Sequence, residues 1–244
     1  MDWIYGVHAV QTMLKSSPQR IIEVHMQAGR SDDRLQKIHN LVEQHGIHKQ
    51  LVGIKKLDSK VSGRHQGVIA LCRPGEELDE SLLLKLSEQY GSRVLFLILD
   101  GVTDPHNLGA CLRSADGAGV HAVIIPKDNA VGLTPIAQKV ACGAAESVPL
   151  VAVTNLSRTI KKLKALGIWV VGTTEEADQT IYETNLSGPI TLIMGAEGVG
   201  MRNLTKKQCD FLANLPMQGQ VESLNVSVAA GICLYEIRRQ RDYG

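Results

Sequence analysis

Aromatic residues are scarce in this chain: two Trp, two Phe and five Tyr among 244 residues. Nine rings are little material for a sheet that stacks nucleobases in the manner of an RRM. The five cysteines, Cys72, Cys111, Cys142, Cys209 and Cys233, form no C-x-x-C pair and have no histidine at ligand spacing, so the usual sequence grounds for a zinc site or a disulfide framework are missing. Scattered through apolar surroundings, they read as small core residues of a protein kept in a reducing compartment. No apolar run is long enough to cross a bilayer, and no segment has the order of a signal peptide. A cytoplasmic protein without membrane association is expected.

Net charge is nearly absent overall, at a formal +1, but the charges are unevenly placed. Residues 1–75 carry eleven Lys and Arg against six Asp and Glu, a net of +5, whereas the remainder carries fifteen against nineteen, a net of −4. Six of the eight histidines also fall in the first part. A basic module joined to a mildly acidic one suits an RNA-recruiting domain attached to an enzyme, because phosphate affinity is mostly electrostatic. An ordinary solvated surface gives the same count.

The best boundary is the turn Pro74-Gly75 followed by Glu76, Glu77, Asp79 and Glu80, which divides the chain into residues 1–75, a linker over 76–92 and a second domain over 93–244. Leu82, Leu83 and Leu86 give the linker one helical stripe. Before it, the spacing predicts a helix over Val7–Leu14, a strand over Ile21–Met26, an amphipathic helix over Leu35–Gln44 and a strand over Gly67–Cys72, a small α/β unit. After it, apolar strand-like runs at 94–99, 122–125, 148–153, 169–172 and 190–194 alternate with helical patterns at 108–118, 135–144 and 156–166. Strands apolar on nearly every residue imply a parallel sheet covered on both faces, with ligands at its carboxyl ends. A final helix over Val226–Arg239 ends in Arg238, Arg239 and Arg241, where cations favour a helix C-terminus.

Three stretches interrupt these elements with glycines and polar residues. In the first, L-D-G-V-T-D-P-H-N-L-G-A-C-L-R-S-A from Leu99, Asn107 stands where it can cap the following helix, and Arg113 lies nearly two turns further on among small residues. The second, G-A-E-G-V-G from Gly195, is a tight turn suited to close approach of a ligand, with Glu197 inside it. Its G-x-x-G-x-G spacing and missing lysine fit neither a Walker loop nor a dinucleotide fingerprint. In the third, L-P-M-Q-G-Q-V-E-S-L-N-V-S-V-A-A from Leu215, Ser223 and Asn225 stand at the entry of the last helix, as caps or as holders of a ligand's polar parts.

Taken together, in this order and at these intervals, the three stretches resemble the three motifs of the SpoU (TrmH) family of the SPOUT superfamily: N-x-G-x-x-x-R, G-A-E-G-x-G and P-M-x-G-x-x-x-S-L-N-V-S-V-A. Upstream, Tyr5-Gly6-Val7-His8-Ala9-Val10 and His65-Gln66-Gly67-Val68 resemble the substrate-binding domain of members that methylate a guanosine of 23S ribosomal RNA. Essentially the whole chain is covered. The resemblance implies a second domain built on a parallel sheet with a deep trefoil knot, and a ribosomal-protein-like α/β first domain that binds RNA. It further implies a homodimer acting on 23S ribosomal RNA or a large-subunit assembly intermediate, with S-adenosylmethionine as methyl donor and no metal.

By the same resemblance, Gly195, Leu215 and Leu224 hold the donor, with Met217 and Thr173 nearby. Arg113 contacts the ribose 2′-oxygen, Asn107 and Glu197 position it, and Ser223 and Asn225 complete the pocket. A guanidinium normally cannot accept a proton, so Arg113 suits a developing oxyanion better than the role of a base. Lys55, Lys56, Lys60, Arg64 and His8 of the basic domain are the expected phosphate contacts. Small residues at Ala110, Ser114, Ala115 and Ala118, with Ser227, Ala229 and Ala230, are expected either to form a close-packed dimer face or to pack within one subunit. A non-catalytic RNA-binding factor on the same fold would not need Arg113, Glu197 and Asn225 together. A tRNA ribose methyltransferase would share the chemistry, and the basic first domain favours ribosomal RNA over that alternative.

Overall fold

A computed structural model describes residues 2–30, 32–73 and 78–243. The expected turn at Pro74-Gly75 and the acidic Glu76 and Glu77 lie outside the described residues. The chain forms two compact units, one of residues 1–76 with 142–147 and the other of residues 77–141 with 148–244.

The first unit runs β1 (Asp2–Tyr5), α1 (Val7–Ser16), β2 (Ile21–Gln27), α2 (Asp33–Gln44), β3 (His48–Val52), α3 (Ile54–Asp58) and β4 (Val68–Cys72). Its sheet has the order β1-β4-β2-β3, with β4 antiparallel to both neighbours and β3 parallel to β2. The amphipathic stripe of α2 buries Leu35, Ile38 and Val42 against Val10, Met13 and Leu14 of α1 and Val24 and Met26 of β2. Asp32 opens α2 by accepting from the backbone amides of Arg34 and Leu35 at 3.1 and 3.0 Å, a side-chain cap for otherwise orphan donors.

The His65-Gln66-Gly67 segment organises this unit. Val7 N donates to Gln66 Oε1 at 3.0 Å, which serves the start of α1 where Gly6 has no side chain to cap with. Gly67 N donates to His65 Nδ1 at 3.0 Å, so that nitrogen is the acceptor, and the ring hydrogen on Nε2 faces Asp58 Oδ1 at 3.0 Å.

The second unit adds α4 (Glu80–Tyr90), β5 (Leu95–Asp100), α5 (Pro105–Gly117), β6 (Ala122–Pro126), α6 (Pro135–Ala141), β7 (Leu150–Val153), α8 (Leu156–Ala165), β8 (Trp169–Thr173), β9 (Gln179–Thr180), β10 (Ile190–Gly195), α9 (Asn203–Lys206), β11 (Phe211–Asn214) and α10 (Val226–Tyr243). A further short helix, α7 (Ala144–Ser147), belongs to the first unit. The sheet order is β7-β6-β5-β10-β8-β11-β9 and every pairing is parallel. β5 and β6 are buried at every residue, which explains why their sequences show no alternation.

Several expectations need correction. Strands β1, β3, β9 and β11 carry no sequence signal strong enough to anticipate. The helix expected to begin at Leu108 begins at Pro105, and Asp104 caps it by accepting from His106 N at 2.9 Å. Asn107 is therefore inside the first turn and does not cap α5. The helix expected to reach Ala144 stops at Ala141, because Cys142 (φ 53°) and Gly143 (φ 98°) leave the right-handed region. Cys142 is exposed, unlike the buried Cys72, Cys111 and Cys233.

The terminal arginines work within the fold. Arg241 donates to the carbonyls of Arg93, Val94 and Gly188, and burial, then Arg93 and Arg238, push its guanidinium down to about 10, still charged at neutral pH. Arg241→Met strips donors from three carbonyls at once. It is expected to lower the unfolding free energy by about 2 kcal/mol, seen as an earlier urea midpoint at unchanged slope. An unmoved midpoint would show that this clasp contributes nothing.

Candidate active site

The carboxyl ends of β8, β10 and β11 open onto a cavity of about 380 Å³, a size that suits a compact organic ligand. The positions expected to hold the donor, Thr173, Gly195, Leu215, Met217 and Leu224, all line it, as do Glu197 and Ser223. Met194, Val226 and Ala229 supply apolar wall, and Glu175, Glu176 and Glu222 supply acidic groups. Thr173 Oγ1 donates to the Ile193 carbonyl at 3.2 Å, so its hydroxyl helps close the strand ends as well as lining the space.

Glycine is required where the turn leaves β10. A Cβ on Gly195 would lie 2.2 Å from Gly200 C and Met201 N, so the returning arm of the loop lies flat on residue 195. Ala196 and Gly200 bridge each other at 2.8 and 3.2 Å, and Gly198 and Gly200 take φ of 73° and 70°, which side chains resist.

Three of the expected catalytic residues meet through one amide. Asn225 Nδ2 donates to Asn107 Oδ1 at 2.9 Å and to Glu197 Oε1 at 2.5 Å, while its Oδ1 accepts from Ser227 N at 2.9 Å and caps α10. Val226 N also donates to Glu197 Oε1, at 3.3 Å. Both amide hydrogens and the carbonyl are thus committed, which fixes the orientation of the Asn225 side chain. Glu197 sits at the positive end of an 18-residue helix, where a carboxylate is favoured.

Arg113 is exposed on α5 and does not line the cavity of its own chain. Its neighbour on the helix, Gly109, is consumed by packing: a Cβ there would lie 2.6 Å from the Ala137 carbonyl of α6. Ala115, Ala118, Ala229 and Ala230 are buried within the subunit, and α5 packs on α10. Ala110, Ser114 and Ser227 are half-buried. Cys111 is no nucleophile, because burial, with the Glu197 charge adding, pushes its thiol up to about 12.

Residues missed by the sequence reading include Asp100 and Arg202. Asp100 is 1% exposed and takes two side-chain donors and a backbone amide from Arg202. The available signal was a charged residue closing the run L-F-L-I-L-D.

In the first unit, Lys55, Lys56, Lys60, Arg64 and His8 are all exposed. Lys60 Nζ lies 4.6 Å from the centre of the Trp3 ring, and Lys55 and Lys56 stand on α3.

Comparison with known proteins gives a consistent set of likenesses. Residues 94–235 match the model of the SpoU rRNA Methylase family, and residues 3–78 match that of the RNA 2′-O ribose methyltransferase substrate-binding domain. A 23S rRNA (guanosine-2′-O-)-methyltransferase of Photorhabdus laumondii is 56% identical over 98% of this chain and 98% of its own length. Among solved structures, an RNA 2′-O ribose methyltransferase superposes with a TM-score of 0.80 at 29% identity, over 98% of this chain and 88% of that one. The SpoU methyltransferase AviRb from Streptomyces viridochromogenes in complex with AdoMet shares the fold, with a TM-score of 0.79 at 23% identity, over 99% of this chain and 91% of that one.

Proposed function

Because the chain belongs to the SpoU rRNA methylase family, we propose that it transfers a methyl group from S-adenosylmethionine to the ribose 2′-hydroxyl of a guanosine in 23S ribosomal RNA. The observation that carries this reading is the amide of Asn225, which draws Asn107 and Glu197 together beside the cavity. These are three of the five polar positions that the family motifs single out.

The cavity fits the donor. Its volume suits an adenosine with an amino-acid tail, and its wall alternates apolar side chains with backbone from the turn at Gly195. The acidic Glu175, Glu176 and Glu222 suit a sulfonium cation. When bound, the donor supplies an electrophilic methyl carbon. The protein's share is to exclude water, to hold the ribose oxygen in line at roughly 3 to 3.5 Å, and to manage the proton of a poor nucleophile. We assign the positioning to Asn107, Glu197 and Asn225, and the closing of the pocket to Ser223. Gly195, Leu215, Leu224, Met217 and Thr173 are assigned to donor binding.

Arg113 is assigned to the 2′-oxygen on the family likeness alone, as a donor to developing negative charge. Arg113→Lys is expected to bind the donor normally and to lose about 10²-fold in turnover, because a point charge cannot reproduce a planar fork. Near-normal turnover would remove Arg113 from the chemistry.

Division of labour follows the charge, with residues 1–75 choosing the RNA and residues 93–244 performing the transfer. A homodimer, which the family resemblance implies, is supported by the exposed apolar Val228 and Tyr235 of α10. The trefoil knot is supported by the sheet order, in which β10 enters between β5 and β8 before the chain passes to β11. No described helix is long and apolar enough to cross a membrane, and a ribosomal RNA substrate supports a cytoplasmic site of action. Mapping 2′-O-methyl groups in 23S RNA from cells with and without the gene tests the function. One guanosine should lose its methyl group, and an unchanged map would overturn the reading.

A further inference from the structure

The Glu197 loop is held at its root as well as at its tip. Gly195, the last residue of β10, is in register with Asp100, the last residue of β5. Seven residues later the chain returns to the same place: Asp100 Oδ1 receives Arg202 Nε at 2.7 Å and an Arg202 terminal nitrogen at 2.6 Å, and Oδ2 receives the Arg202 backbone amide at 3.0 Å. A single carboxylate, with no exposure of its side chain, therefore closes residues 195–202 into a ring. Within the ring, Ala196 and Gly200 bridge each other, and a Cβ added to Gly101, the residue after Asp100, would lie 3.6 Å from the Ala196 Cβ.

We infer that Asp100 and Arg202 are positioning residues for methyl transfer: their two-pronged ion pair sets where Glu197 meets Asn225 and where residues 195–200 form the cavity wall. They touch neither substrate. The physical reason is leverage. A seven-residue return loop carrying two glycines at positive φ has many alternative paths, and the Arg202 fork removes them by fixing both the side chain and the backbone of the same residue. Lysine brings the charge without the fork, and it sets one nitrogen instead of two against Asp100 Oδ1. A misplacement of about 1 Å at reacting groups is enough to cost about 10²-fold in rate.

This inference rests on the proposed methyl transfer, and its test separates the two. Full-length wild type, Arg202→Lys, Asp100→Asn and the double variant are compared by thermal melting, by calorimetric titration with S-adenosylmethionine, and by tritiated-methyl transfer to unmodified 23S RNA. For Arg202→Lys, kcat should fall about 10- to 100-fold and donor affinity about 10-fold, while KM for RNA stays at the wild-type value. The double variant should be no worse than the more damaged single variant, as expected for two halves of one contact. Should Arg202→Lys not fold, Asp100→Asn, which keeps an acceptor for the Arg202 amide, carries the same expectation. Unchanged kcat and donor affinity beside a lowered melting midpoint would make the pair merely structural and overturn the inference, as would fully additive losses. If wild type itself transfers no methyl group, the functional reading fails, and the donor titrations still decide for or against the clamp.

Discussion

Asn225→Asp is expected to reduce methyl transfer by about 10²- to 10³-fold while leaving the last helix folded. The substitution separates two jobs that one side chain performs. As a cap, Asn225 accepts from Ser227 N, and aspartate caps a helix equally well. As a hub, it donates two hydrogens, to Asn107 and to Glu197, and aspartate at neutral pH donates none. It also sets a second negative charge against Glu197, which drives the two apart. The check is tritiated-methyl transfer to unmodified 23S RNA alongside far-UV circular dichroism. A folded variant with near-wild-type turnover would show that the Asn107–Asn225–Glu197 chain of contacts is a helix-start device and nothing more. Asn225→Ala is a weaker experiment, since it removes cap and hub together.

The second large effect concerns RNA. Neutralising Lys55, Lys56, Lys60 and Arg64 together, each to Gln, is expected to weaken RNA binding by about 10²-fold at physiological salt and to flatten the slope of log affinity against log salt by about 3. All four side chains are exposed, so the variant should fold. Lys60 has the Trp3 ring as its neighbour, and tryptophan fluorescence will show whether that contact was lost. Donor affinity should not move. A full salt slope in the fourfold variant would place the phosphate contacts elsewhere.

The sequence displays some of this architecture openly and hides the rest for identifiable reasons. β5, β6 and β10 are legible because a strand buried on both faces must be apolar at nearly every position. The stripe at Leu82, Leu83 and Leu86 correctly marks α4, with Leu83 buried and its neighbours packed on the core. β3 is hidden because it is a polar edge strand, H-K-Q-L-V, and β9 because two residues carry no period. The start of α5 was misread for a local reason: Asp104-Pro105 is the stronger N-terminal signal, a cap followed by a proline whose missing amide costs nothing there. Moving the cap back three residues turns Asn107 from a local device into a long-range partner.

At the site, the motifs supply the cast but not the contacts. Asn107 and Asn225 are 118 residues apart in sequence, and nothing in periodicity or spacing predicts that one amide joins them. The Asp100–Arg202 pair spans 102 residues and escaped for the same reason. Arg113 marks the opposite limit, a motif position whose exposed placement on α5 does not by itself explain its role.

The place of β10 has a consequence for how the protein is made. During synthesis, β5 and β8 are complete well before residue 190 leaves the ribosome, yet the strand that joins them is the later one. At about 5 to 20 residues per second, roughly 5 to 18 seconds separate Asp100 from Ile190. Throughout that interval β5 waits with the edge that β10 will fill unpaired, and β8 joins it once Thr173 is made, each a template for a stranger's strand. Nascent chains stalled before residue 190 should therefore be the species that chaperones bind and that aggregates first.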